Sequence, residues 1–209
     1  MTLQRAPTSP VILLLAAGEG SRFGGAKQLA EIDGEPMVRR VARRLLQLDL
    51  PVVVVTGAYA AQVEAVLDDL PISLSRCEEW ALGMGNSIAA GVREVARSFA
   101  RASSVLICLA DQPLLSQASL QAILQRHATA PDRILATEHE GIAGPPTLFP
   151  RDCFDALMML SGPRGARGII ERQAPRVELF AAHDNIDVDT QEDLHRLRQR
   201  IATTSEQTP

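Results

Sequence analysis

The fold is decided at residues 11–28, which read VILLLAAGEGSRFGGAKQ. The unbroken apolar run that opens this stretch is typical of a strand buried on both faces of a parallel sheet. The loop that follows contains four glycines, together with the positive charges of Arg22 and Lys27. Glycine lets backbone N–H groups come close to an anion, and positive side chains attract phosphate. We therefore predict a buried strand that ends in a phosphate-binding loop.

The rest of the chain alternates short apolar runs with longer amphipathic stretches, as strands joined by crossover helices do. Strands are predicted at residues 11–16, 52–56, 72–75, 105–110, 134–137, 147–149 and 177–181. Helices are predicted at residues 37–48, 60–70, 86–99, 116–128, 151–160, 167–171 and 190–201, the third of them capped by Asn86 and Ser87. We expect one α/β domain over residues 1–209, with a mostly parallel twisted sheet flanked by helices and with loose ends at 1–9 and 202–209. Parallel sheets bind ligands at the carboxyl ends of their strands, where Gly18 and Asp111 both lie.

The composition is that of a soluble globular protein. The chain has 209 residues, is 46% hydrophobic and 22% charged, and carries a net charge of -4. Because it has no block of Lys and Arg, nucleic acid is a poor expected partner. Its longest apolar run, residues 11–17, is much shorter than the roughly 20 residues that span a bilayer, so no membrane segment is expected. The cysteines form no Cys-x-x-Cys pair, which favours the reducing cytoplasm.

Lys27 is the only lysine among 21 basic residues. The chain uses arginine everywhere else, and the compact charge of an ammonium group is not equivalent to a guanidinium fork. The loop departs from two familiar motifs. A third glycine comes one residue too late for a dinucleotide fingerprint, and Ala26 and Gln28 break the pattern of a Walker loop. On glycine content alone, a flexible surface turn with incidental charges is the alternative.

Residues 15–27, LAAGEGSRFGGAK, resemble the signature of the MobA-like nucleotidyltransferases. Their Ala-Ala-Gly form resembles the molybdenum cofactor cytidylyltransferase branch, whereas the guanylyl branch resembles Ala-Gly-Gly there. Further matches follow in order at residues 83–87 (GMGNS), 110–113 (ADQP), 144–146 (GPP), 165–167 (GAR) and 187–194 (DVDTQEDL). The resemblance covers nearly the whole chain. It implies a Rossmann-like three-layer sandwich of the nucleotide-diphospho-sugar transferase type.

The resemblance implies transfer of CMP from CTP to the molybdopterin form of the molybdenum cofactor, with Mg²⁺ present and pyrophosphate released. Two polyanions must meet in such a reaction, so catalysis depends on neutralising charge and on in-line positioning. Arg22 suits the β- and γ-phosphates, and by resemblance Lys27 reaches the α-phosphate, so these two are the expected catalytic residues. The expected nucleotide-binding residues are Leu15, Ala16, Ala17, Gly18, Gly20, Arg22, Lys27, Gly83, Gly85, Asn86, Ser87 and Asp111.

Two carboxylates are expected to hold the Mg²⁺, because a hard cation prefers carboxylate and phosphate oxygens. Asp111 follows the strand predicted at residues 105–110. Asp187 and Asp189 alternate on a predicted short strand and therefore face the same side. We favour Asp187 as the second ligand, because in the family the first of these positions faces the metal, and we expect Asp189 to orient the start of the last helix. A turn aspartate at position 111 and a strand leading into a capped helix are the structural alternatives.

Two departures from the family pattern concern the acceptor. Residues 144–146 are Gly-Pro-Pro where relatives often carry Gly-His-Pro or Gly-Asn-Pro, and residues 162–165 lack an acidic residue that is common before Gly-Ala-Arg. Both segments should lie on the acceptor side, and Trp80 and Phe149 could wall a pterin pocket. The alternatives are another phosphate acceptor or nucleotide, a non-catalytic cofactor carrier or maturation partner and, least favoured, a nicotinamide oxidoreductase. The leading hypothesis leaves room for a molybdoenzyme or a cofactor-insertion protein as a partner.

Overall fold

The computed structural model describes residues 9–139, 141–181 and 186–206 of the chain. The strands are β1 (Pro10–Ala16), β2 (Glu31–Ile32), β3 (Glu35–Pro36), β4 (Val52–Thr56), β5 (Ser73–Arg76), β6 (Ser104–Leu109), β7 (Ile134–His139), β8 (Ile142–Pro150) and β9 (Val177–Ala181). The helices are α1 (Met37–Leu46), α2 (Ala60–Ala65), α3 (Met84–Ser98), α4 (Gln117–Thr129), α5 (Phe154–Met158), α6 (Arg167–Arg172) and α7 (Gln191–Glu206). No helix in these residues is long and apolar enough to cross a membrane.

Within the described residues, seven strands form the main sheet in the order β5-β4-β1-β6-β8-β7-β9. β8 runs antiparallel to β6 and β7, and the other neighbours pair in parallel. The predicted α/β Rossmann-like class with a mostly parallel sheet is therefore confirmed. Such a sheet needs helices on both faces, because its strands are apolar on both sides.

Alternate residues of β1 show how the two faces are covered. Leu13 and Leu15 belong to a core cluster with side chains of α3, α5 and α6, whereas Ile12 and Leu14 belong to a second cluster with side chains of α1, α2 and α4. Ile12, Leu13 and Leu14 are fully buried. Burial of one such side chain stabilises the fold by about 1.5–3 kcal/mol. The continuous apolar run at the start of the chain is thus explained by a strand in contact with core on both faces.

The sheet topology brings two segments of the candidate site together. From β1 the chain crosses to β4 and β5 on one side, and then returns to β6 on the other side of β1. Ligands of open α/β sheets bind at such a reversal, outside the carboxyl ends of the strands. Leu15 pairs with Leu109, and the Ala110 N–H donates to the Leu15 carbonyl at 3.1 Å. The loop after β1 and the aspartate after β6 are therefore neighbours, as predicted.

A third, smaller core cluster connects the last helix to the glycine-rich loop. It contains Phe23 from the loop, Met37 from α1, and Val188, Leu194 and Leu197 at and near α7. Residues 186–189 are consequently held beside the loop although they are far from it in sequence. They have no regular secondary structure, so the predicted strand carrying Asp187 and Asp189 is wrong. The two side chains bind different partners instead of sharing one face.

Other differences concern element boundaries. α3 begins at Met84 with Gly83 at its N-cap, so Asn86 and Ser87 lie in its first turn and are not its caps. β8 is nine residues long and forms a hairpin with β7, whereas only residues 147–149 were predicted as strand. Its first half contains Gly144, Pro145 and Pro146 and is not fully buried, so it lacks the apolar signal of a core strand. α7 continues to Glu206, beyond the predicted end of the last helix.

Candidate active site

A cleft of about 360 Å³ opens at the carboxyl ends of β1 and β6. A volume of this size is within the range of small-molecule sites. Ten of the predicted nucleotide-binding residues line it, namely Leu15, Ala16, Ala17, Gly18, Gly20, Arg22, Lys27, Gly83, Ser87 and Asp111. Gly85 and Asn86 do not, and neither does the predicted metal ligand Asp187. Trp80 and Asp189 complete parts of the wall.

The glycine-rich loop turns tightly around Gly20. This residue has a φ of 66°, and its carbonyl accepts hydrogen bonds from the N–H groups of Phe23 and Gly24, both at 2.9 Å. A Cβ atom on Gly20 would lie 2.2 Å from the carbonyl oxygen of Gly25. That same oxygen accepts a hydrogen bond from the Lys27 N–H at 2.7 Å. The glycine at position 20 is therefore required for the close approach that places Lys27.

Gln28 also holds the loop and was missed as a site residue in the sequence. Its side chain is buried, and its Nε2 donates to the carbonyls of Ala16 and Gly18. Because a buried amide without partners is costly, these bonds fix both the glutamine and the backbone at the start of the loop. The sequence carries one signal of this role, a polar residue next to the lysine at the position where a Walker loop has a hydroxyl.

Two cations and two carboxylates meet inside the cleft. Lys27 Nζ donates to Asp111 Oδ2 at 2.6 Å and to Asp189 Oδ1 at 2.9 Å, and Arg22 Nη2 lies 2.9 Å from Asp189 Oδ2. Burial acts to lower the pKa of Lys27, but the charges of Asp111 and Asp189 and the hydrogen bonds to them outweigh it, so this pKa lies above its ordinary value. Lys27 is therefore charged at neutral pH, as a phosphate ligand must be.

Asp111 has one oxygen available for a further ligand. Its Oδ1 is buried and has no hydrogen-bond partner, although its backbone carbonyl accepts from the Val188 N–H at 2.9 Å. A buried, unpartnered carboxylate oxygen carries a large desolvation cost that a hard cation would remove. Among the described residues no group of three or more Asp, Glu, His or Cys side chains could hold a metal ion. A metal at Asp111 would therefore need oxygens from its substrate as well.

Asp187 and Asp189 differ in their surroundings. Asp187 Oδ1 accepts from Gln112 Nε2 at 2.9 Å. Burial of the carboxyl group raises the pKa of Asp187, against that hydrogen bond, and the negative charges of Asp111 and Asp189 raise it further. The start of α7 is held by Asp193, whose Oδ2 accepts hydrogen bonds from the backbone N–H groups of Asp189 and Thr190. Asp189 was expected to orient this helix, but its own oxygens hold Lys27 and Arg22.

The GMGNS segment joins two loops. Gly83 has a φ of 123°, and a Cβ atom there would lie 2.6 Å from the carbonyl of Gly162. Gly85 N–H donates to that carbonyl at 2.8 Å, while Asn86 Oδ1 accepts from the Gly162 N–H at 2.9 Å. Asn86 Nδ2 donates to Glu79 at 3.1 Å. Asn86, predicted to bind the nucleotide, instead holds the loop at residue 162, and Ser87 lines the cleft.

A second, smaller cavity of about 90 Å³ lies on the other side of Met84, which lines both spaces. It brings together the two segments predicted on the acceptor side. Its lining comprises Met84, Ile88, Ile107, Ala143, Gly144, Pro145, Thr147, Phe149, Arg164, Ala166, Arg167 and Ile170. Most of the residues that line the cavity are apolar. Arg164 and Arg167 both pair with Glu171, so the two arginines carry one positive charge more than their shared partner neutralises. Phe149 lies here and Trp80 in the larger cleft, so the two do not form one pocket.

Fold and site together define an α/β nucleotide-binding protein: a glycine-rich loop carrying two cations faces a carboxylate at the reversal of a parallel sheet. The sequence model of the MobA-like NTP transferase domain matches residues 12–177. The chain belongs to this family of nucleotidyltransferases.

Known proteins that are similar to this chain over most of its length are named for different functions. Purine catabolism protein PucB of Bacillus subtilis is 31% identical over 208 residues, which cover 93% of this chain and 99% of PucB. Nicotine blue oxidoreductase of Paenarthrobacter nicotinovorans is also 31% identical, covering 88% of this chain and 94% of its own length. Among solved structures, the manganese complex of Rv0371c from Mycobacterium tuberculosis is 25% identical with a TM-score of 0.74, covering 92% and 99% of the two chains.

Proposed function

We propose that this nucleotidyltransferase moves CMP from CTP to the molybdopterin form of the molybdenum cofactor and releases pyrophosphate. The observation that carries the proposal is the meeting of Lys27 and Arg22 with Asp111 in one cleft. Nucleotidyl transfer requires cations at the phosphates and a carboxylate for a metal at the same place. Each of these groups is present at the carboxyl edge of the sheet.

In the proposed reaction an oxygen of the acceptor phosphate forms a bond to the α-phosphorus of CTP. The bond from that phosphorus to the oxygen bridging to the β-phosphate breaks, and pyrophosphate leaves. Arg22 and the backbone N–H groups of the loop bind the β- and γ-phosphates, and Lys27 stabilises the charge that develops at the α-phosphate. Asp111 and Asp187 would hold Mg²⁺, which neutralises phosphate charge when bound. The manganese complex of Rv0371c supports a divalent metal in this fold.

The wall beside the loop supports a pyrimidine nucleotide. Ala17 and Trp80 line the cleft, and both pack against Gly57, where a Cβ atom would lie 2.8 Å from the Cβ atom of each of them. A glycine in place of Ala17 would widen the cleft by one methyl group. The Ala-Gly-Gly form that the guanylyl branch resembles has this glycine, so the alanine is consistent with a smaller base.

The second cavity supports an acceptor with a flat, partly apolar body. Met84 and Pro145 supply apolar surface, and Arg164 and Arg167 supply donors and a face for stacking. A pterin fits this combination, and its phosphate would extend past Met84 toward Lys27. The departures at Pro145 and within residues 162–165 leave a different phosphate acceptor as the second candidate. The cytoplasm, with a molybdoenzyme or an insertion protein as recipient, is the proposed setting.

The test is a pyrophosphate-release assay with each of the four nucleoside triphosphates, Mg²⁺ and purified molybdenum cofactor. We expect release with CTP and that acceptor, and much weaker release with GTP. Because one relative is an oxidoreductase by name, a parallel assay follows the oxidation of NADH and NADPH in the presence of dye acceptors. The proposal fails if no nucleotide gives pyrophosphate, and release with a sugar or alcohol phosphate in place of the cofactor would transfer the proposal to that acceptor.

A further inference from the structure

A cavity of about 370 Å³ opens at the edge of the sheet opposite the candidate active site. It is lined in part by Pro10, the first residue of β1, and by Ser103, which directly precedes β6. Because β1 and β6 are parallel neighbours, their first residues lie at one edge of the sheet, and Asp111 follows β6 at the other edge. This amino-end cavity is therefore separate from the cleft that contains Lys27.

The walls of the amino-end cavity are mainly apolar. Six of the eight residues that line it are Leu, Ala or Pro, and none is an acid, a lysine or an arginine. Leu48 and Leu50 come from the segment between α1 and β4, and Leu124 and Ala128 come from α4. The three leucines pack against the core cluster between the sheet and α1, α2 and α4. The cavity thus lies at the margin of this core layer.

His127 is one of the two polar residues in the wall. It lies in the last turn of α4 and is only 5% exposed. Its Nδ1 is buried and has no hydrogen-bond partner among the described residues. Burial lowers the pKa of His127, so the imidazole is uncharged at neutral pH and has one nitrogen that donates and one that accepts. A buried polar atom without a partner is costly, and a ligand that pairs with the ring would remove this penalty.

Ser104 adds a second unpartnered polar group at the same end of the layer. It is the first residue of β6 and is fully buried, and its Oγ has no hydrogen-bond partner within the described part of the chain. Side chains alternate along a strand, so Ser104 faces the same side as Leu106 and Cys108, which pack in the core cluster with residues of α4. Apolar side chains at positions 104 and 127 would avoid both penalties. The two polar groups therefore favour a polar ligand group at this end of the layer.

We propose that the amino-end cavity binds a small uncharged molecule with an apolar ring or chain and one hydroxyl group, which forms a hydrogen bond with His127. The apolar walls bind the body of such a molecule by removing its surface from water. A hydroxyl group both donates and accepts, so it pairs with either nitrogen of a neutral imidazole. A charged ligand is disfavoured, because no opposite charge lines the cavity to offset its desolvation. The site does not depend on the proposed nucleotidyl transfer.

The test uses para-cresol as the probe and toluene, which lacks the hydroxyl group, as its matched control. Both compounds carry a methyl group, so broadening of the methyl NMR signal gives Kd for either one with the full-length protein. Ala128→Leu places a larger side chain in the wall from an exposed position of α4. Gln125→Leu is the matched control, because Gln125 is exposed on the same helix and does not line the cavity.

We expect saturable binding of para-cresol to the wild-type protein and an unchanged Kd in Gln125→Leu. Ala128→Leu should raise the Kd by at least about tenfold, because the added side chain competes for the same space. The proposal is overturned if para-cresol does not bind, or if Ala128→Leu binds it as tightly as Gln125→Leu does.

A second variant tests the hydrogen bond to the imidazole. His127→Phe keeps a ring in the wall and removes both nitrogens. The ratio of the toluene Kd to the para-cresol Kd should fall by about threefold to tenfold in this variant, which is the effect of one neutral hydrogen bond. An unchanged ratio means that His127 does not bind the hydroxyl group, and the proposal is wrong. If His127→Phe does not fold, the pair of variants at positions 128 and 125 still decides whether the cavity is the site.

Binding in the candidate active site is detected separately. Trp80 is the only tryptophan of the chain and lines the larger cleft, so its fluorescence reports that site. We expect para-cresol to leave the Trp80 emission unchanged over the range of concentrations that saturates the NMR signal. A change in emission that saturates with the same Kd would place the probe in the cleft and overturn the proposal.

Discussion

Substituting Gly20 by alanine should remove nucleotidyl transfer by displacing Lys27. The new Cβ atom would lie 2.2 Å from the carbonyl oxygen of Gly25, against an ordinary contact that begins at 3.4 Å, so this carbonyl must move by more than about 1 Å. The oxygen is the acceptor of the Lys27 N–H, so the backbone of the lysine moves with it. A misplacement of this size costs about a hundredfold in rate.

The control is Gly24→Ala in the same loop. Gly24 has a φ of 86° and open space around its missing side chain, so this variant bears the backbone strain without the collision. Left-handed backbone costs an L-residue about 1–2 kcal/mol, and urea unfolding should show a loss of that order for Gly24→Ala, with a similar or larger loss for Gly20→Ala. The assay is kcat/KM for pyrophosphate release with CTP. The reasoning is refuted if Gly20→Ala loses no more kcat/KM than Gly24→Ala does.

Three further outcomes are expected. Lys27→Ala should reduce kcat by about two to three orders of magnitude with an unchanged far-ultraviolet spectrum, and near-normal turnover would show that the loop is misassigned. Asn86→Ala leaves the Gly162 N–H without its acceptor and should lower the free energy of unfolding by about 1–3 kcal/mol; a loss within error in urea titrations would contradict the proposed link between the loops. Burial lowers the pKa of His127, so below its ordinary pKa of 6.5 the unfolded chain binds a proton more readily than the folded protein, and the free energy of unfolding should fall as the pH drops through that value. His127→Gln should flatten this pH dependence in urea titrations at stepped pH. An unchanged dependence in the variant would refute the role of His127.

The central strands could be predicted from sequence because their chemistry is local. β4 has the bounds that the sequence predicts. All five of its residues are buried, and a strand buried on both faces shows in the sequence as a short continuous run of β-branched residues. The carboxyl-edge position of Asp111 followed from the same pattern in β6 together with a general rule for parallel sheets. Because binding loops lie at strand ends, the sequence alone predicts the loop after β1 and the aspartate after β6 as parts of the site.

The partners of individual side chains could not be predicted, because they depend on contacts between distant segments. Asp189 and Lys27 are 162 residues apart, and the third core cluster around Phe23 and Val188 brings them together. In the sequence, Asn86 stands between a glycine-containing segment and an apolar helical pattern, as a cap does, and its bonds to Gly162 and Glu79 arise only from the fold. The first half of β8 is only partly buried and contains two prolines, so no hydrophobic pattern in the sequence indicates its pairing with β7.

The central claim is that the cleft around Lys27 and Asp111 transfers a nucleotidyl group. Its most direct test follows the radiolabel of CTP labelled at the α-phosphate, incubated with Mg²⁺, the molybdenum cofactor and either wild-type protein or Lys27→Ala. The predicted result is that the label enters the cofactor in equal amount to the pyrophosphate released, and that the variant transfers it at least about a hundredfold more slowly. Label that stays with CTP, or that appears in the cofactor at the same rate with both proteins, would contradict the claim.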